Sequence, residues 1–219
     1  MLRAVPRDLP PATLPRHQRA VGGFELRLGP GPGGAVLRAL EQRAPLRVLF
    51  PRPEPGEPLL AAVLNCAGGI AGGDRLTQSV RLEAGARATL CTAAAEKAYR
   101  SLGPAAELAT RLELGPGATL EWLPQETILF DGARLTRRIE FRLAEGARLL
   151  AAEMLVFGRA ARGERLCTGA LLDAWRLYGP AGLAWADGLA LQGELGARLA
   201  DPFGFAEAGA LGTVLLWAP

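Results

Sequence analysis

Four acidic residues lie where a carboxylate could take part in chemistry. Asp74 ends a glycine-rich segment, and Glu153 interrupts an apolar run. Glu126 and Asp131 bracket a short apolar stretch. Carboxylate oxygens hold a transition metal ion more weakly than imidazole or thiolate groups do, which suits passing the ion onward rather than storing it. The four residues are therefore candidate ligands of a divalent cation in transit through the molecule.

A structural interpretation of the same residues is also open. A turn aspartate such as Asp74 commonly accepts hydrogen bonds from nearby backbone N–H groups. Glu153 could instead be buried as the ion-pair partner of an arginine, with Arg159 as the candidate. The residue pattern alone does not separate this interpretation from metal binding.

The usual groups for nucleophilic or acid–base catalysis are scarce. The one histidine, His17, lies in an Arg/Pro-rich leader, and no Gly-x-Ser-x-Gly elbow occurs. The three cysteines, Cys66, Cys91 and Cys167, include no Cys-x-x-Cys pair, so neither a disulfide framework nor a zinc knuckle is indicated. Cys66 is expected to be a small buried residue. We therefore predict that the protein is not an enzyme.

Two further segments carry residues typical of protein interfaces. The segment from Glu96 to Ser101 places Tyr99 between Lys97 and Arg100. Arginine and tyrosine anchor interfaces because each combines a large contact area with directed hydrogen bonds. The segment from Gly158 to Glu164 is typical of a hairpin connection, and its Arg159 either contacts a partner or pairs with Glu164. The candidate partner-binding residues are thus Lys97, Tyr99, Arg100 and Arg159.

The glycine-rich segment, residues 65–76, lies between an apolar run and an alternating one. Its sequence, Asn-Cys-Ala-Gly-Gly-Ile-Ala-Gly-Gly-Asp-Arg-Leu, contains neither a Gly-Lys-Ser/Thr sequence nor a spaced Gly-x-Gly-x-x-Gly. A phosphate-binding loop would also need a helix N-terminus after it. We therefore predict a strand, a glycine loop and a second strand rather than a nucleotide site.

A strand-turn-strand pattern recurs three times, at residues 80–90, 110–120 and 140–150. Each copy runs from an alternating strand through a glycine turn into a strand that begins with Ala, and the copies are about thirty residues apart. Looser copies lie at residues 24–28 and 189–197. The fold class predicted is all-β, with many short antiparallel strands in stacked hairpin units, β-helical or sandwich-like, and few short helices. Residues 93–100 are the one stretch predicted as a short helix.

The stretch 135–143 shows the alternation most clearly. Leu135, Ile139, Phe141 and Leu143 are predicted to face the interior, and the intervening Arg138, Glu140 and Arg142 to face solvent.

Length and composition predict one domain over residues 1–219, with a leader of about 20 residues that is expected to be flexible. The net charge is +3, Lys97 is the one lysine, and the arginines are scattered among acids, so nucleic-acid binding is not expected. No run approaches the length of a membrane span and the leader has no apolar core, so a cytoplasmic protein without a membrane contact is predicted.

Four motifs in order resemble the urease accessory protein UreD family, also called UreH. They are Gly-Gly-Ile-Ala-Gly-Gly-Asp-Arg-Leu (residues 68–76), Glu-Lys-Ala-Tyr-Arg-Ser (96–101), Trp-Leu-Pro-Gln-Glu-Thr-Ile-Leu-Phe-Asp (122–131) and Gly-Arg with the following Gly-Glu (158–164). Ala98 stands where the family commonly has Phe, and Cys66-Ala67 where it has Pro. The family usually continues past Trp217, so its C-terminal part is expected to be missing here.

The resemblance implies a β-helical, non-enzymatic scaffold for urease maturation. Such a protein binds apo-urease and the accessory protein UreF, and through UreF the GTPase UreG. It helps to deliver nickel to the urease active site, with no tightly bound cofactor and nickel only in transit. Two alternatives stay open: a nickel buffer or storage protein that uses the three cysteines, and an enzyme that depends on the carboxylate pair Glu126 and Asp131.

Overall fold

A computed structural model describes residues 19–52, 54 and 56–219. His17 and the predicted leader lie outside these residues. The strands are β1 (Val21–Gly29), β2 (Val36–Arg43), β3 (Leu46–Leu49), β4 (Leu59–Asn65), β5 (Arg75–Leu82), β6 (Arg87–Thr92), β7 (Glu96–Ala98), β8 (Ala106–Leu114), β9 (Thr119–Leu123), β10 (Thr127–Leu129), β11 (Arg134–Leu143), β12 (Arg148–Arg159), β13 (Glu164–Arg165), β14 (Thr168–Gly179), β15 (Gly182–Glu194) and β16 (Ala210–Trp217). A 3-10 helix covers Ala160–Arg162, and helix α1 covers Gly196–Ala200.

The strands form two sheets that enclose one apolar interior. The first sheet has the order β15-β14-β11-β8-β5-β1-β2. The second has the order β3-β4-β6-β9-β12-β10-β7, with β13 and β16 also paired to β12. The predicted all-β fold with few short helices is confirmed. The core between the sheets is built mainly from the inward side of each strand, as alternation requires.

Each predicted repeat forms one layer that spans both sheets. Strands β5, β8 and β11 pair in parallel in the first sheet, and β6, β9 and β12 pair in parallel in the second. The looser copy at residues 24–28 lies in β1, which adds one more parallel strand beside β5. The layers therefore stack as in a β-solenoid.

The antiparallel pairing expected within each unit is not what the structure shows. Only the edge strands β2, β3 and β15, together with β13 and β16, pair antiparallel among the described residues. The glycine turn of each unit carries the chain from one sheet to the opposite sheet, so its two strands do not become neighbours. Gly85, Gly117 and Gly146 occupy this turn in successive layers, each with a positive φ that glycine adopts without strain.

Of two local predictions, the short helix at residues 93–100 is wrong and the inward side of β11 is confirmed. The stretch 93–100, predicted as a short helix, contains strand β7 instead, because the parallel neighbour β10 supplies ladder partners that outweigh the helix propensity of its alanines. In β11, Leu135, Ile139, Phe141 and Leu143 are at most 4% exposed, which confirms the predicted inward side.

Candidate functional site

The four sequence motifs lie in successive layers and stack on one another along one side of the solenoid. The Ile70 N–H donates to the carbonyl of Lys97 at 2.7 Å, and the Tyr99 N–H donates to the carbonyl of Ile70 at 2.9 Å. In the next layer the Phe130 N–H donates to the carbonyl of Ala98 at 3.0 Å. Strand β10 then pairs with β12, which leads into the fourth motif. Segments far apart in sequence are thus joined by backbone hydrogen bonds.

Tyr99 packs at the centre of this surface. Its hydroxyl donates to the carbonyl of Gly68 at 2.8 Å, and its ring meets the ring of Phe130 edge to face, with centroids 5.1 Å apart. The guanidinium of Arg159 lies 4.0 Å from the Phe130 ring centroid, within the range of a cation–π contact. Tyr99 is nevertheless 36% exposed, so part of the ring faces solvent. We call Tyr99, Arg100, Phe130, Asp131 and Arg159 the motif surface.

Asp131 joins three chain segments at this surface. Its Oδ1 accepts hydrogen bonds from the N–H of Cys167 at 3.0 Å and from the N–H of Thr168 at 2.9 Å. Its Oδ2 accepts from Arg100 at 2.5 Å. Desolvation opposes the charge, but the bonds from Thr168 and Cys167 and the charge of Arg100 outweigh it and lower the pKa of Asp131. The carboxylate therefore acts as a charged clamp between layers.

Arg159 pairs with Glu164 across the short β12–β13 hairpin, so one of the two possibilities left open by the sequence is present in the structure. The hydrogen bond from Arg159 is the main cause that lowers the pKa of Glu164. Glu164 also accepts from the N–H of Asp131 at 3.3 Å, which couples the hairpin to the clamp.

The glycine loop approaches its neighbours too closely for any side chain at two positions. A Cβ atom added to Gly69 would lie 2.4 Å from the ring of Tyr99. A Cβ added to Gly72 would lie 2.0 Å from the Oγ of Ser101. Real Cβ contacts are never that short, so glycine lets the first motif lie flat against the second.

Asn65 holds the other end of the same loop. Its side-chain amide donates to the Glu96 carboxylate at 3.0 Å and to the carbonyl of Gly69 at 3.2 Å. Burial raises the pKa of Glu96, and the bonds from Asn65 and Lys97 oppose this in part. Lys97 itself is exposed.

A second polar cluster is buried between the sheets. Arg137 of β11 donates to Asp173 through Nε at 2.8 Å and through Nη2 at 2.7 Å, and its Nη1 pairs with Glu153 of β12. Trp122 donates its indole N–H to Glu153 at 2.7 Å, and Trp175 donates to Asp173 at 3.3 Å. We call these five residues the buried charge cluster.

Burial and the neighbouring charges shift the pKa values of Arg137 and Glu153 in this cluster. Burial disfavours the charge of Arg137, but Glu153 and Asp173 outweigh it and raise the Arg137 pKa, so the guanidinium stays charged. Burial raises the pKa of Glu153, and Arg137 and Trp122 offset that only in part.

The predicted metal-binding residues lie in different environments. Asp74 accepts the N–H groups of Ala20 and Ala71, both at 2.8 Å, as the structural interpretation expected. Glu153 does pair with an arginine, but the partner is Arg137 and not Arg159, because Arg159 lies at the solvent end of β12. Glu126 is half-buried. In the part of the chain that the structure describes, no three His, Cys, Asp or Glu side chains form a group able to hold a metal ion.

The two alternative functions gain no support from the geometry. Cys66 was expected to be buried but is exposed, because it lies in the turn that follows β4; Cys167 is exposed as well. Burial raises the pKa of the Cys91 thiol, which disfavours the thiolate that binds metals. Both oxygens of Asp131 accept hydrogen bonds from other groups, so this carboxylate is a poor partner of Glu126 for acid–base work.

Arg137 and Phe130 take part in these contacts although neither was among the residues predicted from the sequence. Arg137 occupies an odd position in β11, between two residues predicted to face inward, and it is 3% exposed. The alternation therefore contained the signal. Phe130 lies inside one of the motifs, but its role in joining Tyr99 and Arg159 depends on the stacking of layers.

The fold and this surface define a β-solenoid protein in which four separated motifs form one set of loops joined by backbone hydrogen bonds. Among the described residues no helix is long and apolar enough to cross a membrane. The family model described as UreD urease accessory protein matches residues 20–219, and the chain belongs to this family.

Several relatives named Urease accessory protein UreD are similar over most of this chain. The protein of Granulibacter bethesdensis is 53% identical over 171 residues, which is 78% of this chain and 71% of the relative. That of Rhodopseudomonas palustris strain BisA53 is 48% identical over 198 residues, or 90% of this chain and 69% of the relative. UreD 1 of Methylobacterium radiotolerans is 49% identical over 208 residues, or 94% of this chain and 71% of the relative. Family membership implies a role in urease maturation.

Proposed function

We propose that the protein is a cytoplasmic, non-catalytic scaffold for urease maturation. It binds apo-urease and a UreF-like accessory protein, reaches the UreG GTPase through the latter, and helps to pass nickel toward the urease active site. The observation that carries the proposal is the convergence of four separated UreD-like motifs on one surface in a chain of this family.

The chemistry of the motif surface supports protein binding. Tyr99, Arg100 and Arg159 combine aromatic area with charged donors, the residue types that dominate binding energy at interfaces. The Tyr99 hydroxyl donates to the carbonyl of Gly68, and Arg100 and Arg159 pair with Asp131 and Glu164, so these side chains are held in place before a partner arrives. A surface fixed in advance loses less conformational entropy on binding, which favours affinity. Lys97 lies exposed in the same segment and adds a charged rim.

Nickel transfer is proposed for the acidic residues Asp74, Glu126, Asp131 and Glu153. Their oxygen ligands suit brief binding because they hold nickel less tightly than thiolate or imidazole groups do. Three of the four are charge-balanced or hydrogen-bonded in the structure, so an arriving cation would have to displace an arginine or an N–H donor. This competition shortens the time for which a nickel ion stays bound.

A deletion strain tests the proposal. The gene is removed from a urease-producing host, and urease activity and nickel per urease active site are measured with and without the restored gene. We expect activity and nickel content to fall together and to return with the wild-type gene. Co-purification of the tagged protein with UreF-like protein and apo-urease is expected in parallel. Normal urease activation in the deletion strain would overturn the proposal.

The nickel route is tested separately from binding. Glu126→Gln is the most informative variant. The Glu126 side chain makes no hydrogen bond or ion pair with a described residue, so the fold should tolerate the change. We expect unchanged co-purification but less nickel in urease. Unchanged nickel content in Glu126→Gln removes this residue from the route.

A further inference from the structure

The outward side of strands β5, β8, β11 and β14 carries a dense set of arginines. Seven arginines and three glutamates point outward from these four strands: Arg75, Arg81, Arg111, Arg134, Arg138, Arg142 and Arg176, with Glu107, Glu113 and Glu140. This side of one sheet therefore holds a larger positive excess than the whole chain, whose net charge is +3. We call it the arginine face.

Parallel, in-register pairing arranges these charges in rows. Arg111 and Arg176 lie on either side of Glu140 in one row. Arg81 and Arg142 flank Glu113 in the next. In the sequence these arginines are scattered among acids, because residues about thirty positions apart become neighbours only when the layers stack.

Part of this positive charge is not neutralised within the molecule. Arg111 and Arg142 pair with glutamates of the face, and Arg75 approaches Glu107 at 3.9 Å. Arg81, Arg134, Arg138 and Arg176 form no ion pair with any carboxylate among the described residues. These side chains are available to an external anion.

The shape of the face suits a folded protein. Small residues, Thr77, Ala109 and Ala174, form the floor of a shallow depression of about 480 Å³ bordered by Arg138 and Arg176. The four strands, each counted over eight residues, measure roughly 19 by 26 Å, or about 500 Å². The face alone therefore supplies more than half of the roughly 800 Å² that each partner buries in a standard protein interface.

Nucleic acid is the less fitting occupant. The glutamates lie between the arginines in both rows and would repel a continuous phosphate backbone. The aromatic ring within the face, Tyr178, is covered by the Arg142 guanidinium 4.9 Å from its centroid and so is not free to stack on a base. An acidic protein surface with its own interspersed cations matches the rows better.

We propose that the arginine face is a docking surface for an acidic face of a folded partner protein, separate from the motif surface. The choice of apo-urease as that partner rests on the proposed function, because a scaffold that holds two proteins together needs two surfaces. The arginine face, with its unpaired arginines, is assigned to apo-urease. The motif surface is left for the UreF-like protein.

Matched charge reversals test this assignment. The test variant is Arg81→Glu/Arg138→Glu, in which both side chains are exposed and make no ion pair with a described residue. The control is Arg87→Glu/Arg148→Glu, which makes the same charge change at two exposed positions of the opposite sheet. Thermal unfolding of both variants checks that the fold is kept.

Binding of purified apo-urease is measured by surface plasmon resonance at about 50 mM and about 200 mM salt. We expect the test variant to bind at least about tenfold more weakly than wild type, and the control to stay within about threefold. The wild-type affinity should fall with salt, whereas the UreF-like protein should bind the test variant as it binds wild type.

Each other result overturns a defined claim. Equal binding of apo-urease by test and control variants overturns the docking surface while leaving the proposed function intact. A wild-type protein that binds no apo-urease overturns both. Loss of UreF-like binding alone removes the assignment to apo-urease. Tighter binding of a short DNA duplex than of apo-urease, abolished in the test variant, reassigns the face to nucleic acid.

Discussion

Arg137 and Glu153 form an ion pair that crosses the interior and joins the two sheets of the solenoid. The two residues lie on consecutive strands, β11 and β12, on opposite sides of the turn at Gly146. Their side chains are 4% and 5% exposed. The pair therefore fixes how one layer folds over on itself, and Asp173 extends the same contact to the next layer.

Replacing Arg137 with Met should destabilise the protein severely. The apolar side chain fills a similar space but leaves Glu153 and Asp173 buried without a positive partner. Breaking a buried ion pair from one side costs about 3–5 kcal/mol, because the remaining charge stays desolvated. Urea unfolding measures this loss. The neighbouring Arg138→Met is the control, since Arg138 is exposed and its replacement should change stability by less than about 0.5 kcal/mol.

The triple variant Arg137→Met/Glu153→Leu/Asp173→Leu should recover much of the stability lost in Arg137→Met. Removing all three charges leaves no buried ion without a partner, although Trp122 and Trp175 each lose an acceptor for the indole N–H. Urea unfolding of the triple variant and of Arg137→Met compares their free energies of unfolding. A triple variant less stable than Arg137→Met would mean that the charge cluster stabilises the fold by more than mutual neutralisation.

The all-β fold and its repeat could be predicted because both signals are local. Alternation places Leu135, Ile139 and Phe141 inward, and the recurrent turn glycines mark each unit. The parallel pairing could not be predicted in the same way. A strand-turn-strand sequence has the same residue pattern whether its second strand pairs in the same sheet or crosses to the opposite sheet. The geometry of the turn decides between these two arrangements.

The candidate site was predictable as four motifs but not as one surface. The backbone bridges connect Ile70 with Ala98, Ala98 with Leu129, and Leu129 with Phe157, so the motifs recur at nearly the spacing of the repeats. That coincidence of spacing was available in the sequence. The cross-sheet contact of Arg137 with Glu153 was not, because it depends on how two sheets face each other.

Gly72→Ala should damage the motif surface through its shape alone. The new Cβ would lie 2.0 Å from the Oγ and 2.4 Å from the Cβ of Ser101, which forces the first two motifs apart. Overpacking of this kind costs about 1–3 kcal/mol. Chemical unfolding and co-purification with the UreF-like protein should both show the loss. Gly103→Ala is the matched control, because a Cβ there meets nothing within 4 Å; equal behaviour of the two variants would contradict the close-packed loop.

Tyr99→Ala and Tyr99→Phe should separate binding from folding. Phe keeps the edge-to-face contact with Phe130 and loses only the hydroxyl bond to Gly68, at a cost of about 1 kcal/mol in the free energy of unfolding. Ala removes the exposed ring as well, and truncating an interface anchor of this type weakens binding by about 2 kcal/mol or more. Calorimetric titration with the UreF-like protein measures the difference. If Tyr99→Ala binds as tightly as Tyr99→Phe, the aromatic ring is not part of the interface.

The clamp at Asp131 predicts a defined dependence of stability on pH. The pKa of Asp131 is lowered in the folded protein, so as the pH falls the unfolded chain takes up this proton first. The contribution of the carboxylate is therefore present above the ordinary aspartate pKa of about 3.9 and is lost as the pH falls through the lowered value. Glu164, whose pKa is also lowered, acts in the same direction.

Asp131→Asn should be less stable than wild type at neutral pH, because its amide cannot pair with Arg100 as a carboxylate does, and the difference should shrink below about pH 4. Urea unfolding of both proteins across the acid range measures it, and two parallel stability curves would show that Asp131 is not clamped as a charged group.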